Sequence, residues 1–331
     1  MLNNYEGGNV DLRVPYIGYS SESESYTAAG IAAYHALTSH LEKRLSHGLE
    51  AGVSYTFSHA TDEQSGLGLF YNGDNPTNLR SGYGSSDFDR THVLNFTYGY
   101  TTPKVFATDT LAGKALDSWA IHGVATVQSG QPYSVIDYSG AVGSIFYSTF
   151  DGITNPVVPL AAGCNRKNAL TGQNGAFYNI QTGAGAALKA TCFGVPILQP
   201  GTMGVPNGDE FETNFVSGER NIFRQSWQRR ADASLTKELP IHDRYTLHYS
   251  FDVYNIFNTA SFDIPQNNVN QNQAFNNVPV QVGSTAEALP TGCGTANPVA
   301  GGLYNCPSGL GITKHTIGSP RQIQMALHLD F

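Results

Sequence analysis

The chain of 331 residues lacks an apolar run that approaches the roughly 18–20 residues of a transmembrane helix. It is also poor in charge, since Asp, Glu, Lys and Arg make up 13% of the residues, and its formal net charge is −8. Because the net charge is negative and the chain has no long basic run, we do not expect nucleic acid as a partner. If the protein crosses a membrane, it must do so with β-strands.

Residues 1–7 have no basic start, apolar core or small-residue cleavage site, so the sequence shows no signal peptide. An exported protein needs such a signal. Because the features below indicate export, we expect the chain to be a fragment that begins internally at Met1.

The chain has only four cysteines, and none of them has the close CxxC spacing of a zinc or redox site. We therefore expect no metal site. Cys164 and Cys192 lie in one long Gly-rich stretch, and Cys293 and Cys306 lie in another. Other pairings are possible, but the sequence favours one local disulfide in each stretch. Loop disulfides indicate an oxidising space such as the periplasm or the cell surface.

The sequence also lacks the motifs of common enzymes, with no GxSxG elbow and no Gly-rich phosphate loop before a helix. Asp87, Asp89, Arg90 and His92 form a charged cluster, which we interpret as the start of a strand in which Arg90 pairs with a carboxylate. Two further polar pairs, Arg230 with Asp232 and His248 with Asp252, are expected to line a wet interior. No catalytic, cofactor-binding or metal-binding residue is predicted, and the chain is not expected to be an enzyme.

What the sequence does have is alternation, which is clearest in residues 320–331. Ile323, Met325, Leu327, Leu329 and Phe331 share one face, and polar or small residues share the other. Successive side chains of a strand point to opposite faces, and about 9–11 residues suffice for a tilted strand to cross a bilayer. A terminal strand of this kind, ending in Phe, is similar to the closing strand of a bacterial outer-membrane β-barrel.

Six earlier segments alternate in the same way, beginning near residues 34, 49, 93, 119, 229 and 245. The links between the seven segments are alternately short and long, with long links near residues 61–91, 130–228 and 258–319. Outer-membrane barrels have short periplasmic turns and long extracellular loops. The pattern predicts an all-β, antiparallel up-and-down meander that forms part of a large transmembrane outer-membrane β-barrel. Trp119, Trp227, Tyr98, Tyr100, Tyr245 and Phe331 lie near predicted strand ends and are expected to form aromatic girdles.

Seven strands do not close a barrel, because single-chain bacterial barrels have an even number of strands. An open sheet in lipid leaves backbone groups unsatisfied at a cost of several kcal/mol each. We therefore expect residues 34–331 to be the carboxy-terminal portion of a larger barrel. Residues 1–33 are expected to be an extracellular loop or partial strand, since residues 12–19 contain Pro15 and alternate poorly.

Five segments in order, residues 34–44, 55–62, 86–92, 128–132 and 252–258, resemble the Oar-like branch of TonB-dependent receptors. The resemblance implies a 22-stranded barrel with a plugged lumen and energised uptake of a scarce ligand. The implied partners are outer-membrane lipid, the barrel-assembly machinery, which would read the strand ending at Phe331, and an unknown ligand. The TonB system would act only through a plug, and the chain lacks the plug, the energy-coupling box and the amino-terminal strands.

Two alternatives stay open at this point. The first alternative to a receptor is a β-rich binding or adhesive module without transport, either secreted or on the cell surface. The second is a remnant that does not fold. The first alternative predicts that the apolar faces of the strands pack against one another in a water-soluble protein.

Overall fold

The structure is a computed structural model, and it describes residues 29–65, 78–107, 110–136, 157–158, 160–177, 184–193, 219–242, 245–267, 280–281, 298–299, 303–304 and 310–331. The segment considered as a partial strand, residues 12–19, lies outside the described residues. So do Cys293, Cys306 and most of the Asn/Gln-rich stretch at 266–277.

In the described part of the chain, seven long strands form one antiparallel sheet in chain order, which confirms the predicted meander. They are β1 (Ala32–Ser46), β2 (Leu49–Asp62), β3 (His92–Thr101), β4 (Trp119–Gln128), β5 (Gln228–His242), β6 (Tyr245–Tyr254) and β7 (Gln322–Asp330). The two-residue strand Gly84–Ser85 also pairs with β2. Strands β1 and β7 form the two ends of this sheet, and within the described ranges neither has a second long neighbour. The first strand starts at Ala32, two residues before the predicted barrel boundary.

The connections explain where the strands end. His47 and Gly48 join β1 to β2 with φ values of 53° and 78°, as a two-residue hairpin requires. Residues 240–243, which begin with Pro240, have the composition of a tight reversal, but Pro240 instead pairs with Thr246 inside the β5–β6 ladder. Its missing N–H is tolerated there, because the pairing of β4 with β5 stops at Lys237. Strand β6 ends at Tyr254, before the long link predicted near residues 258–319, because Asn255 has a left-handed φ of 51°.

The remaining elements are short. Helix α1 (Leu111–Leu116) lies in the link between β3 and β4, which the sequence indicated only as a short connection. Turns of 3-10 helix occur at Leu79–Gly82 and Ala190–Cys192. Two-residue strands pair Pro132–Tyr133 with Phe223–Arg224 and Ser261–Phe262 with Thr316–Ile317, and Leu303–Tyr304 pairs with both Val280–Gln281 and Pro298–Val299. No helix in the described part of the chain is both long and apolar enough to cross a membrane.

The register between strands separates the sheet into two chemically different faces. One row runs Tyr100, Ile121, Leu235, Phe251 and Met325 across β3 to β7. The adjacent row on the other face runs Gly99, His122, Ser234, Asp252 and Gln324. Each pairing therefore joins like with like, and we call the two sides the apolar face and the polar face.

Among the described residues, none of the buried hydrophobic side chains belongs to the seven long strands. The buried core is built in the long connections that follow β4 and β6, and we use the name cap for these described residues of the two connections: 129–136, 157–158, 160–177, 184–193, 219–227, 255–267 and 310–321. The buried cluster consists of Tyr133, Val135, Val158, Ala169, Leu188, Cys192, Phe193, Phe223 and Leu310. The cap thus has its own core, stacked on one end of an open sheet.

Candidate membrane interface and loop cap

The described residues leave the apolar face of the sheet uncovered. Leu41 is 73% exposed, Leu327 68% and Met325 66%, although all three belong to regular, paired strands. Other exposed side chains on this face are Leu37, Leu45, Leu49, Phe57, Leu94, Phe96, Tyr100, Ile121, Tyr245, Ile323 and Leu329. Soluble proteins rarely expose an apolar area of this extent. No second sheet or helix packs over these side chains among the described residues, which is the arrangement that a lipid-facing wall requires.

Aromatic residues mark both edges of the apolar face. Trp119 and Tyr245 begin their strands at the short-turn end, Tyr100 lies one residue from the end of β3, and Phe331 follows β7. Tyr98 lies deeper in β3, and its ring covers Gly123 so closely that an added Cβ would lie 2.5 Å from it.

At the cap end, the His92 ring lies between two aromatic neighbours. Its centroid is 5.7 Å from that of Trp227 and 5.3 Å from that of Phe57. The Tyr55 hydroxyl also contacts His92 Nδ1 at 2.9 Å. Aromatic belts at two levels are typical of the two interfaces of a bilayer.

Two lysines of the apolar face direct their ammonium groups away from it. Lys43 Nζ donates to Ser46 Oγ at 2.7 Å and to the Leu49 carbonyl at 3.2 Å. Lys237 is buried, and its Nζ donates to the Asp117 carbonyl and lies 5.1 Å from the centre of the Trp119 ring. Both ammonium groups therefore reach the short-turn end, while their stems stay on the apolar face, as expected at a membrane boundary.

The polar face carries charged groups that are paired with one another. Arg230 Nε donates to Asp232 Oδ2 at 2.9 Å, and both residues lie on the polar face of β5. Asp252 accepts from Ser234 Oγ at 2.5 Å, whereas His248 lies 2.8 Å from Asp330 on β7. The predicted pair His248 and Asp252 thus share a face, but each has a different ionic or hydrogen-bond partner.

A shallow cleft of about 290 Å³ lies in the middle of the sheet, and most of its lining belongs to the polar face. Polar-face residues that line it include His122, Asp232, Ser234, Asp252 and Tyr254. Side chains of this chemistry suit a water-filled or protein-filled interior.

Arg220 fastens the cap to the wall. Its guanidinium donates to the Asp62 carboxylate at 2.8 Å, to the Gly82 carbonyl at 3.1 Å and to Ser65 Oγ at 2.7 Å. The next residue, Asn221, donates from Nδ2 to Asp87 Oδ1 at 2.6 Å. Arg220 is only 6% exposed, so these bonds are shielded from water. Together they hold the link after β4 against the end of β2.

A second ion pair joins the cap to the start of β3. The buried carboxylate of Asp89 accepts from Arg224 and, at 2.7 Å, from the Ala60 N–H. Burial by itself raises the pKa of Asp89, but Arg224, the Ala60 N–H and nearby His59 outweigh it and lower the pKa below its usual value.

The predicted pairing of Arg90 with a carboxylate is wrong. Its guanidinium donates instead to the Ser129 carbonyl at 3.1 Å and to Gln131 Oε1 at 3.3 Å. Burial and the neighbouring Arg224 lower the pKa of Arg90, although Asp89 opposes this shift. The charged cluster does lie at the start of β3, as the sequence indicates. The ionic partner of Asp89, however, is Arg224, which lies 135 residues away in sequence and carries no local signal.

Two of the five motifs that suggested a family, residues 128–132 and 252–258, lie at this junction. Gly130, within the 128–132 motif, faces the Gln225 carbonyl so closely that an added Cβ would lie 1.7 Å from its oxygen. Gln225 N donates to the Gln131 carbonyl at 2.9 Å, which fixes the segment before β5. The 252–258 motif supplies Asn255, whose Nδ2 donates to the Thr259 and Ser319 carbonyls at 3.1 Å each. These motif residues thus build the seam between wall and cap.

Cys164 and Cys192 form a disulfide within the cap, with a Cα–Cα distance of 5.6 Å. It joins two described parts of the long connection after β4, and Cys192 belongs to the cap core. Burial also raises the pKa of Tyr133, another member of that core. Within the described ranges, no group of three or more His, Cys, Asp or Glu residues is arranged to hold a metal ion.

A family model described as an outer membrane beta barrel domain matches residues 2–324 of the chain. No curated protein and no solved structure matches it.

Proposed function

The chain belongs to the outer membrane beta barrel domain family, and from that premise we propose that it supplies wall and cap to an Oar-like TonB-dependent receptor. Its location is the bacterial outer membrane, where the apolar face contacts lipid. The receptor would take up a scarce ligand through the interior that the polar face lines. No enzymatic role is proposed.

The observation that carries the proposal is that one sheet combines a polar face with a cap at one of its ends. The polar face presents paired charges such as Arg230 with Asp232, which suit a hydrated or plugged lumen. The cap lies at one end of the polar face, where the Arg220 network joins it to the wall and a disulfide links two of its segments. A preorganised surface above a polar passage is what ligand capture followed by uptake requires.

The open edges of the sheet also favour a barrel larger than the described strands. The outer sides of β1 and β7 have no long strand partner within the described residues. In lipid such edges must be paired, because each unsatisfied backbone group costs several kcal/mol. The exposed, alternating β7 also suits recognition by the barrel-assembly machinery, while TonB would act on a plug, which no described residue forms.

Uptake measured in cells tests the proposal. The complete gene product that carries this chain is expressed in hosts with and without a functional TonB. Labelled ferric siderophores, cobalamin and oligosaccharides are then offered in turn. We expect saturable accumulation of at least one ligand, abolished by deletion of TonB or by collapse of the proton gradient. Outer-membrane protein that accumulates no ligand of the panel in a TonB-dependent manner would contradict the receptor assignment.

A surface binding module without transport is the second candidate, and the separate hydrophobic core of the cap favours it. The same cells distinguish the two functions. A binding module retains ligand at the cell surface equally with and without TonB, and protease treatment of intact cells releases that ligand. Imported ligand survives the protease treatment.

A further inference from the structure

The link between β3 and β4 presents an apolar surface that the wall itself does not explain. Leu111 is 88% exposed, Val105 69% and Leu116 58%, and Phe106 is also exposed. We call residues 103–107 together with 110–118 the anchor segment. It lies at the short-turn end of the sheet, opposite the cap.

The anchor segment is a built structure, although six residues of helix would be unstable alone. Thr110 caps α1 by accepting from the Gly113 N–H at 3.0 Å. Gly113 is buried against the Ala107 carbonyl, where an added Cβ would lie 2.2 Å from the oxygen. Asp117 Oδ2 accepts from the N–H groups of Val105 at 3.1 Å and Phe106 at 2.9 Å. These bonds hold the exposed apolar side chains in one fixed arrangement.

The contacts of α1 place it beside the apolar face of the sheet. Trp119 Nε1 donates to the Ala115 carbonyl at 2.8 Å, and the Lys237 ammonium donates to the Asp117 carbonyl. Trp119 and Lys237 are paired residues of the apolar face at its short-turn edge. The apolar surface of the anchor segment therefore continues the lipid-facing surface beyond the end of the strands.

We propose that the anchor segment is an interfacial membrane anchor, with its apolar side chains in the boundary between headgroups and acyl chains of the phospholipid leaflet at the short-turn end. The occupant is lipid, because the patch is continuous with a lipid-facing wall and is joined to it through Trp119, an interfacial residue. In sequence, residues 103–118 carry two lysines, Lys104 and Lys114, and two aspartates, Asp109 and Asp117, so apolar contact supplies the attraction rather than net charge.

Spin labels at three exposed apolar positions test this inference. Leu111→Cys carries the label in the anchor segment, Phe177→Cys carries it in the cap at a closely matched 87% exposure, and Leu327→Cys carries it on the wall. Each variant also has Cys293→Ser and Cys306→Ser, so that the label reacts at one site while Cys164 and Cys192 stay joined. The complete protein is reconstituted in phosphatidylcholine vesicles, and heat-modifiable migration verifies its fold.

Power saturation then compares collisions with oxygen, which concentrates in lipid, and with a water-soluble nickel chelate. We expect the Leu111 label to favour oxygen severalfold over the nickel chelate, as the Leu327 label does, and the Phe177 label to favour the chelate. A Leu111 label that behaves like the Phe177 label overturns the anchor. A Leu111 label shielded from both reagents also overturns it, because the patch is then covered by protein. A Leu327 label that favours the nickel chelate would contradict the lipid-facing assignment of the apolar face, and the anchor proposal with it.

Discussion

Arg220 Nη1 donates a hydrogen bond of 2.8 Å to Asp62 Oδ1, across 158 positions of sequence. The two side chains are 5% and 9% exposed, so the pair is nearly removed from water. The Ser65 hydroxyl and the Gly82 carbonyl accept two further bonds from the same guanidinium. A single arginine thereby holds the long link after β4 against the end of β2.

Loss of this arginine is expected to loosen the cap. Arg220→Gln leaves the Asp62 carboxylate buried without its cation, which typically costs about 3–5 kcal/mol. Hydrogen exchange of cap amides, measured on the folded protein in detergent, should accelerate by roughly a hundredfold or more. The matched control is Arg230→Gln, because Arg230 is 50% exposed and its pair with Asp232 contributes at most about 1 kcal/mol. Equal exchange in both variants would rule out the proposed fastening role.

Charge on the two faces of the wall should have opposite consequences. Leu327→Arg or Phe251→Arg places a guanidinium against lipid, at an expected cost of about 2–4 kcal/mol near the bilayer centre. Gln324→Arg is the control, because Gln324 pairs with Asp252 on the polar face and the new cation meets a carboxylate. Denaturant titration of folding into vesicles measures the difference. Similar midpoints for Leu327→Arg and Gln324→Arg would count against a lipid-facing wall.

Removal of the disulfide should destabilise the cap rather than the wall. Cys164 and Cys192 are 28 residues apart in sequence, and closing such a loop restricts the unfolded chain by about 3–4 kcal/mol in the chain-entropy model. The double variant Cys164→Ser, Cys192→Ser should be cleaved faster by protease within the cap, while the heat-modifiable barrel band is retained. Reduction of the native protein should reproduce this pattern. Loss of the barrel band in the double variant would mean that the wall depends on the cap.

Acidification should weaken the seam at Asp89. Its pKa is lowered in the folded protein, so its charged form contributes stability that is fully present above the unfolded pKa of about 3.9. This contribution disappears as the pH falls through the folded pKa, because both states are then protonated. We expect cap amides of native protein to be better protected than those of Asp89→Asn at pH 7, and the difference to shrink below about pH 4. A difference that is independent of pH would show that the ionised carboxylate is not the source of the protection.

Much of the wall could be predicted from sequence, because alternation is a property of each strand alone. Ala51, Val53 and Tyr55 indicate their face without knowledge of any partner. The prediction failed where a tertiary neighbour decides the local conformation. Pro240 is typical of a turn, yet it lies inside a strand, because its position beyond the end of the β4–β5 pairing leaves its missing N–H without consequence. Val124 breaks the alternation of β4 and still lies on the polar face, 41% exposed, because pairing with Thr97 and Asp232 sets the register.

The seam between wall and cap could be only partly predicted. Asp87, Asp89 and Arg90 form a visible cluster in sequence, but Arg220 and Arg224 lie in a long link where nothing marks them as partners. The role of Gly130 depends equally on Gln225, 95 positions further along the chain. Such contacts form only when separate loops dock, so their spacing in sequence carries no periodic signal.

The sequence by itself determined the strands, their two faces and the alternation of short and long connections, since each follows from side-chain chemistry repeated along a local backbone. Only the tertiary structure decided that the described residues leave the apolar face uncovered and place their buried core in the cap, and that Asp62 and Asp89 pair with Arg220 and Arg224. The physical reason is that burial and ion pairing depend on which distant segments meet, and a linear pattern does not contain that information.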